Sequence, residues 1–363
     1  MSQKSGQTMQ NATSSERPLV SVILAIFNEA ASVGKSLASL LNQETPDFDL
    51  EILAIDGMSE DGTGEILKSI AATDSRLRIL VNQRRKTPFA FNLGLREARG
   101  QYVCIFGSHT TYRRDYISVC LKEMISHNAV ACVGRIVTRP LDETLEASLV
   151  AWAVSHPFGS SRKSFRTQQE GASETVNYPI ARIAALLEVG GFSEQLLRNQ
   201  DNDMVQKLRA KGHKLYCTWK TECYYHPKGT LKGLLVYAYR AGFWNVLSFK
   251  ENLTCMALRH FVPFFFLAAL LSASLLALCG LILPHANREL TSLPLLALLG
   301  VYMAVGTVAA LQVAWREKAV GALCLPFVFL GFHVAYGYGT LVAFATGARA
   351  PSPQPERMAE ATN

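Results

Sequence analysis

The sequence lacks several features that would assign a function at once. None of its eight cysteines forms a Cys-x-x-Cys pair, the common spacing of zinc and redox motifs. The opening stretch contains no apolar run, so we expect no signal peptide. No aromatic-basic RNA-binding motif occurs either. These absences argue against a disulfide-rich secreted domain, a zinc module and a partner made of nucleic acid.

The charge of the chain is basic rather than balanced. The formal net charge is +7, and the lysines and arginines cluster at 84–86, 113–114, 162–166 and 228–232. Basic surfaces attract phosphates and anionic lipids, although an ordinary solvated surface has the same composition. The charge therefore favours an anionic ligand or a membrane without deciding between them.

Long apolar runs occur only in the last third. Three of them are long enough to cross a bilayer: 261–283, 293–315 and 320–346. The basic, aromatic stretch before them has the composition of a helix that lies at a membrane surface. Basic residues beside these runs predict, by the positive-inside rule, a multi-pass protein of the inner (cytoplasmic) membrane whose globular part faces the cytoplasm. Pro326 predicts a kink or a re-entrant path in the third run.

The part before these runs alternates strands with helices. Four apolar runs predict buried parallel strands, each followed by a helical pattern: 19–27, 50–56, 77–82 and 102–106. Further strands are predicted at 129–138 and 214–219. This order predicts an α/β fold with a doubly wound mixed sheet. Ligands bind such sheets beyond the carboxyl ends of the strands.

Several residues with useful chemistry stand at those strand ends. Phe27, Asn28 and Glu29 follow the first strand, and Asp56 ends the second, with Asp61 in the turn after it. An aromatic ring can stack on a nucleotide base, and a carboxylate can accept from an imide N–H. The turn is also ordinary Gly-Ser-Asp turn chemistry, so its acid has a structural reading beside the functional one.

A third acid stands at the start of a later helix. Asp201 follows the loop 190–200 and begins a predicted helix that runs to about Lys211. Its carboxylate either stabilises the helix N-terminus or acts as a general base that removes a proton from an attacking hydroxyl. Asp203 lies on a different face of that helix and is the weaker candidate.

Four segments, in this order, resemble family 2 glycosyltransferases with the GT-A fold. They are VSVILAIFNEAASV (20–33), AIDGMSEDGT (54–63), SHPFGSSRKSFR (155–166) and GGFSEQLLRNQDND (190–203). The likeness is to the succinoglycan-biosynthesis ExoA-type branch, covers about 19–250 and extends into the apolar runs. The turn alone is moderately specific, whereas the ordered set is highly specific.

The resemblance implies a membrane-bound inverting glycosyltransferase. It implies transfer of a hexose from a nucleotide sugar, such as UDP-glucose, to a polyprenyl-diphosphate-linked saccharide in exopolysaccharide or cell-surface glycan biosynthesis. Other polysaccharide-assembly proteins are the implied partners. By that match Asp201 is the base, and the nucleotide is contacted by Phe27, Asn28, Glu29, Asp56 and Asp61. The acceptor side consists of His156, Pro157, Phe158, Arg198, Asn199 and Gln200.

The chain departs from the family pattern at two positions. Where close relatives have Asp-Ala-His after the fourth strand, it has Gly107, Ser108 and His109, and Gln200 replaces an acid before the base. The resemblance implies a divalent metal, Mn²⁺ or Mg²⁺. A lone imidazole suits Mg²⁺ poorly and Mn²⁺ better, so His109 is a metal candidate only with help from the substrate's oxygens.

Basic side chains are the alternative way to neutralise the donor diphosphate. Arginine binds phosphate through two hydrogen bonds at once. The candidates are Arg113, Arg114 and Lys228, with Arg84 and Arg85 expected nearby.

Two other functions stay open. One is a catalytically weak relative that binds nucleotide or lipid-linked sugar in an assembly complex. The other is a polyprenyl-phosphate sugar synthase, which needs no hydroxyl-activating base. No Gln-x-x-Arg-Trp signature follows the base, which favours addition of a single sugar. The predicted regions are a disordered tail (1–17), a GT-A domain (18–230), an interfacial region (231–259), about three membrane helices (260–346) and a second tail (347–363).

Overall fold

The structure of the protein, a computed structural model, describes residues 17–107, 110–161, 164–177, 179–227, 229–253, 256–283 and 287–349. In chain order the first part contains β1 (Leu19–Ile26), α1 (Val33–Leu41), β2 (Asp49–Asp56), α2 (Thr63–Ala71), β3 (Leu77–Val81), α3 (Thr87–Glu97), β4 (Tyr102–Phe106), β5 (Thr110–Tyr112), α4 (Tyr116–Ser126), β6 (Ala131–Thr138), α5 (Leu145–Ser155), α6 (Pro157–Ser160), β7 (Gly171–Ala172), β8 (Ile180–Arg182), α7 (Ile183–Glu188), α8 (Gln200–Ala210) and β9 (Leu215–Tyr225). The remaining helices are α9 (Leu231–Glu251), α10 (Val262–Ile282), α11 (Arg288–Glu317) and α12 (Leu325–Ala345).

One mixed sheet forms the centre of the globular part. Its strand order is β3-β2-β1-β4-β8-β6-β9-β5, and β7 pairs with β9. The strands β1 to β4 are parallel to their neighbours among themselves, whereas β8 runs antiparallel between β4 and β6. The fold is therefore the mixed, doubly wound α/β sheet of a GT-A domain that the sequence predicts.

The burial of β1 and β2 on both faces explains why these strands appear as continuous apolar runs in the sequence. The apolar side chains of β1 and β2, such as Ile23 and Ile52, are fully buried because helices cover both faces of the sheet. Full burial of such a side chain contributes about 1.5–3 kcal/mol. The helix α1 covers one face through Val33, Leu37 and Leu40, at the helical spacing seen in the sequence.

Three helices among the described residues are long and apolar enough to cross a membrane. They span Leu258–Ile282, Arg288–Glu317 and Val320–Ala345. The re-entrant path predicted for the third stays a prediction. Residues Val320–Cys324 of this run form a 3-10 helix, after which α12 runs from Leu325 to Ala345 without a break. Pro326 stands in its first turn, where a missing N–H leaves no intrahelical bond unmade.

The helix α9 packs closely on α12 through two glycines. A Cβ built on Gly242 would lie 2.0 Å from the carbonyl oxygen of Tyr336, and one on Gly339 would lie 2.0 Å from that of Tyr239. Small residues at such crossings let two helix backbones touch. The predicted position of α9 at the membrane surface stays a prediction.

A second apolar core joins the globular part to the long helices. Leu149, Val150, Ala153 and Val154 of α5 are buried against side chains of α11 and α12 rather than in the core of the sheet. The helix α5 ends at Ser155, and the short helix α6 begins at Pro157. This core fixes the position of the sheet relative to the long helices.

The glycine contact predicts opposite effects for two alanine variants. Gly242→Ala puts a methyl group into a backbone, and such overpacking destabilises by about 1–3 kcal/mol. Gly300→Ala in α11 meets open space, so it should leave the stability unchanged or raise it slightly. Thermal unfolding of both purified variants in detergent checks this. Equal unfolding midpoints would contradict the close α9–α12 contact.

Candidate active site

Hydrogen bonds tie the loop after β1 to the turn after β2. The backbone N–H of Asn28 donates to the Ser59 hydroxyl at 2.9 Å, and the N–H of Ala30 donates to Asp61 Oδ2 at 3.0 Å. The side-chain carbonyl of Asn28 accepts from the N–H of Glu60 at 2.9 Å. Two loops at the carboxyl edge of the sheet are therefore held as one unit.

Both oxygens of Asp61 are occupied by these bonds. Its Oδ1 accepts from the Thr63 hydroxyl and, at 3.1 Å, from the Thr63 N–H. The Thr63 hydroxyl, followed by the Ala30 N–H, holds the pKa of Asp61 below its usual value. This geometry supports the structural reading of Asp61, and its contact with a nucleotide stays a prediction.

Asp56 and Phe27 lie at the ends of neighbouring strands. Asp56 Oδ1 accepts from the Ser59 hydroxyl at 2.6 Å, which fixes the carboxylate at the end of β2. Phe27 is 44% exposed, whereas large apolar side chains beside a hydrophobic core are usually buried. A Cβ on Gly57 would lie 3.2 Å from this ring, so glycine leaves room for it.

A first cavity of about 410 Å³ opens at this edge of the sheet. The residues at its polar mouth are Phe27, Glu29, Gly57, Asn82, Arg85, Lys86 and Gly107. Its floor is apolar and includes Phe91, Phe192 and Met204. Neither Asn28 nor Asp56 is part of its lining.

Asp201 lies at the other end of this cavity, in the first turn of α8. Its Oδ2 accepts from the Asn177 side-chain amide at 2.9 Å, and its Oδ1 accepts from the Asn202 N–H at 2.9 Å. Burial raises the pKa of Asp201, opposed by these two hydrogen bonds and by the charge of Arg166. A carboxylate with a raised pKa is the stronger base near neutral pH.

A second cavity of about 1000 Å³ lies between the globular part and the long helices. It is lined from the globular side by Pro157, Phe158, Arg166, Arg198, Asn199 and Gln200, and from the helices by Val262, Phe266, Tyr302, Phe332, His333 and Tyr336. Thr87, Asn177, Gln200 and Asp201 line both cavities. The two cavities therefore meet at Asp201.

The segment His156–Phe158 faces the long helices in two different ways. The ring of Phe158 lies 5.3 Å from Tyr302 and 5.5 Å from His333, measured between centroids. His156 is not part of the cavity lining: its Nδ1 accepts from the Phe158 N–H at 3.1 Å, and its Nε2 lies 3.2 Å from Gln312 Oε1. Burial lowers the pKa of His156.

Arg113 and Arg114 are not among the residues that line either cavity, and their contact with a diphosphate stays a prediction. The segment before them forms β5, an edge strand paired with β9. Arg113 Nη2 pairs with Asp115 Oδ2 at 2.8 Å, and Arg114 Nε lies 4.0 Å from Glu44 Oε1.

Two other basic residues stand at the first cavity instead. Arg85 and Lys86 line it, and Arg85 Nη2 also lies 3.1 Å from the exposed Glu60. The predicted roles of Ser108, His109 and Lys228 concern positions outside the described residues.

The described residues do not supply a metal-binding set. Among them, no group of three His, Cys, Asp or Glu side chains lies close enough to hold an ion. Gly107 lines the first cavity without a ligand atom, and Gln200 Oε1 is buried without a hydrogen-bond donor from the described chain. Mg²⁺ prefers several carboxylate oxygens, so this part of the site does not fit it.

A hydrogen-bonded chain leads from a long helix to the start of α8. Asn199, in a left-handed conformation with φ 60°, donates from Nδ2 to Asn245 Oδ1 on α9 at 2.8 Å. The Asn245 amide in turn donates to the Tyr336 hydroxyl on α12. No pattern in the sequence indicates Asn177, Asn245 or Tyr336, since ordinary polar residues acquire this arrangement only in the fold.

Comparison with known proteins agrees with this architecture. Residues 21–180 match the family model described as glycosyl transferase family 2. The chain is 26% identical to the succinoglycan biosynthesis protein ExoA of Rhizobium meliloti (strain 1021), over 67% of this chain and 73% of that protein. It is also 26% identical to the dolichyl N-acetyl-alpha-D-glucosaminyl phosphate 3-beta-D-2,3-diacetamido-2,3-dideoxy-beta-D-glucuronosyltransferase of Methanococcus voltae, over 88% of this chain and 95% of that protein.

One solved structure shares the fold over most of the chain. It is the mannosyltransferase PcManGT from Pyrobaculum calidifontis in complex with GDP-Man and Mn²⁺. The TM-score is 0.54 at 19% sequence identity, with 89% of this chain and 88% of that chain covered. At this identity the likeness shows the GT-A fold alone.

The bonds of Asp61 predict a pH-dependent contribution to stability. Because the folded pKa of Asp61 is depressed, its stabilisation is complete above the unfolded value of about 3.9 and is lost as pH falls through the lower folded value. Asp61→Ala should therefore lower the unfolding midpoint at pH 7, by an amount that shrinks below about pH 4. Asp47→Ala removes an exposed acid without hydrogen bonds to the described residues and is the control. A pH-independent effect of Asp61→Ala would contradict this assignment.

Proposed function

We propose that this chain, a glycosyltransferase whose residues 21–180 match glycosyl transferase family 2, transfers a hexose from a nucleotide sugar to a lipid-linked saccharide. The observation that carries the proposal is the position of Asp201 where the two cavities meet. A group-transfer enzyme needs its base at the contact between two substrates, and no other acid among the described residues lines both cavities.

The first cavity suits the nucleotide sugar. The exposed ring of Phe27 offers a stacking face for the base. Asp56 lies beside this cavity at the end of β2 without lining it, so a bond from its carboxylate to the imide N–H requires the base to extend past the lining residues. Arg85 and Lys86 lie at the same mouth and can neutralise the diphosphate of a UDP-hexose. In this proposal the chain's own cations stabilise the departing UDP.

The reaction proposed at Asp201 is a single displacement with inversion. An acceptor hydroxyl attacks the anomeric carbon from the side opposite the UDP, and its proton passes to the Asp201 carboxylate. The bond from that carbon to the phosphate oxygen breaks, and its electron pair leaves with UDP. Asn177 and the Asn202 N–H hold the carboxylate in position for this transfer.

The second cavity suits an acceptor that carries a lipid. Aromatic side chains of three candidate membrane helices wall one side of it. One relative is named for succinoglycan biosynthesis, and the name of another describes transfer to a dolichyl-linked N-acetylglucosaminyl phosphate. These names support a polyprenyl-diphosphate-linked saccharide as acceptor, used on the cytoplasmic face of the inner membrane in exopolysaccharide or cell-surface glycan assembly.

Asp201→Asn tests the role of the base. Loss of a general base lowers turnover by about 10²–10⁴-fold. Asparagine has nearly the same shape as aspartate, so the first cavity keeps its form and UDP binding measured by calorimetry should not weaken. The assay incubates membranes with a panel of radiolabelled nucleotide sugars and follows the label into the lipid fraction. With the parent chain, the rate should fall as pH drops through a pKa above the usual carboxyl range.

The same assay distinguishes the proposed function from the two alternative functions. Full transfer by the Asn variant would contradict hydroxyl activation and would favour a polyprenyl-phosphate sugar synthase. Absence of transfer and of UDP binding in the parent chain would leave only the catalytically weak relative.

The hydrogen bonds that connect Tyr336 of α12 with the residue before α8 predict that Tyr336 helps to position α8. Tyr336→Phe removes the hydroxyl that receives the Asn245 amide, a hydrogen bond worth about 0.5–1.5 kcal/mol, so kcat should fall by up to about tenfold. The KM for the nucleotide sugar should not change, because the first cavity is untouched. Tyr338→Phe, at an exposed position of α12, is the matched control. Equal kcat values for the two variants would rule out this coupling.

A further inference from the structure

A buried cation in the second cavity has no counter-charge. Arg198 lies in the loop before α8, is half-buried and lines that cavity. Within the described part of the chain it makes no hydrogen bond or ion pair, and burial lowers its pKa. Partial withdrawal of a guanidinium from water without an acid nearby is unfavourable, so an anionic ligand at this position would stabilise Arg198.

A second guanidinium is held at the same place. Arg166 lies over the rings of Phe165, Tyr225 and Tyr237, at 4.2, 5.1 and 5.9 Å from their centroids. Tyr225 and Tyr237 also lie near enough to Arg198 to affect its pKa. Rings placed in this way orient the cation. The charge of Arg166 also lowers the pKa of Asp201, so Arg166 lies close to the place where the two cavities meet. The two arginines therefore present positive charge to one region of the cavity.

The other cations of this cavity are placed differently. Arg259 Nη1 lies 3.8 Å from Glu174 Oε2, and Arg209 is exposed at the rim, where it donates to Gln206 Oε1 at 3.2 Å. Arg85 and Lys86 line only the first cavity. The chain thus has two separate basic regions, one on each side of Asp201.

The opposite wall of the second cavity is apolar and aromatic. Phe266 of α10 stacks on Tyr302 of α11, with ring centroids 4.6 Å apart. Val262 and Phe332 add to this wall, which belongs to helices long enough to cross a membrane. A ligand that fits both ends carries an anionic group and a long apolar chain, which describes a lipid phosphate and excludes a free phosphate ion.

We infer that Arg198 and Arg166 bind the phosphate or diphosphate of the acceptor's polyprenyl carrier, whose chain lies against α10–α12. The inference rests on the proposed function for the identity of the ligand as an acceptor. The ligand then has one orientation in the second cavity. Its charged linkage lies near the arginines, and the attached sugar lies within reach of Asp201. Recognition of the carrier then contributes to acceptor choice independently of the sugar.

Direct binding tests this assignment without any sugar transfer. The full chain in detergent is titrated with farnesyl diphosphate, with farnesol and with inorganic diphosphate. Farnesyl diphosphate should bind more tightly than either, because only it satisfies both ends of the cavity. Arg198→Ala should weaken its binding by about tenfold or more, the usual effect of losing a charge-assisted hydrogen bond. Arg198→Lys should recover part of the affinity, since lysine keeps the charge but lacks the fork.

The control variant is Arg96→Ala. Arg240 of α9 is unsuitable, because its charge acts on Arg198. Arg96 is exposed near the end of α3 and lines neither cavity, so its loss changes the net charge equally without altering farnesyl diphosphate binding. UDP affinity, measured on each variant, should match the parent, which also shows that the variants fold.

Three results would overturn the inference. In the first, Arg198→Ala binds farnesyl diphosphate as tightly as the parent does. In the second, inorganic diphosphate binds as tightly as farnesyl diphosphate, which would mark a site for free anions. In the third, Arg198→Ala weakens UDP binding instead, which would assign the arginine to the donor. Failure of the proposed function would appear separately, as absent sugar transfer by a chain that still binds the lipid.

Discussion

The site depends on one buried carboxylate that two cavities share. Asp201 is held by an amide and a backbone N–H, and burial raises its pKa. These bonds fix the orientation of the carboxylate, and the raised pKa makes it a stronger base. A donor in the first cavity and an acceptor in the second would meet only here. The position of α8 relative to both halves of the molecule is therefore the main structural requirement for activity.

That requirement explains why the long helices are part of the site and not only an anchor. They form one wall of the second cavity, share an apolar core with α5, and touch α9 through glycine. Through Asn245, Tyr336 also reaches the residue that begins α8. A globular fragment without these helices would keep the first cavity but lose the second. In the proposed function, acceptor binding and membrane attachment would depend on the same contacts.

The sequence predicted those features that leave a local pattern. Continuous apolar runs revealed β1 to β4, and the spacing of polar residues at their ends placed Phe27 at the correct edge. The strands β5, β7 and β8 have three residues or fewer, too few for a periodic signal, and β8 joins the two halves of the sheet. Because β5 was not predicted, the sequence did not show that Arg113 follows an edge strand and lies outside the lining of both cavities. Asn177 was not found, because its role arises from a long-range contact that no local pattern records.

The most direct test of the central claim is an experimental structure of the full chain in detergent with UDP and a polyprenyl diphosphate together. The account predicts UDP in the first cavity, the lipid diphosphate beside Arg198 in the second, and Asp201 between them. Both ligands in one cavity, or the lipid confined to the outer face of α10–α12, would contradict it.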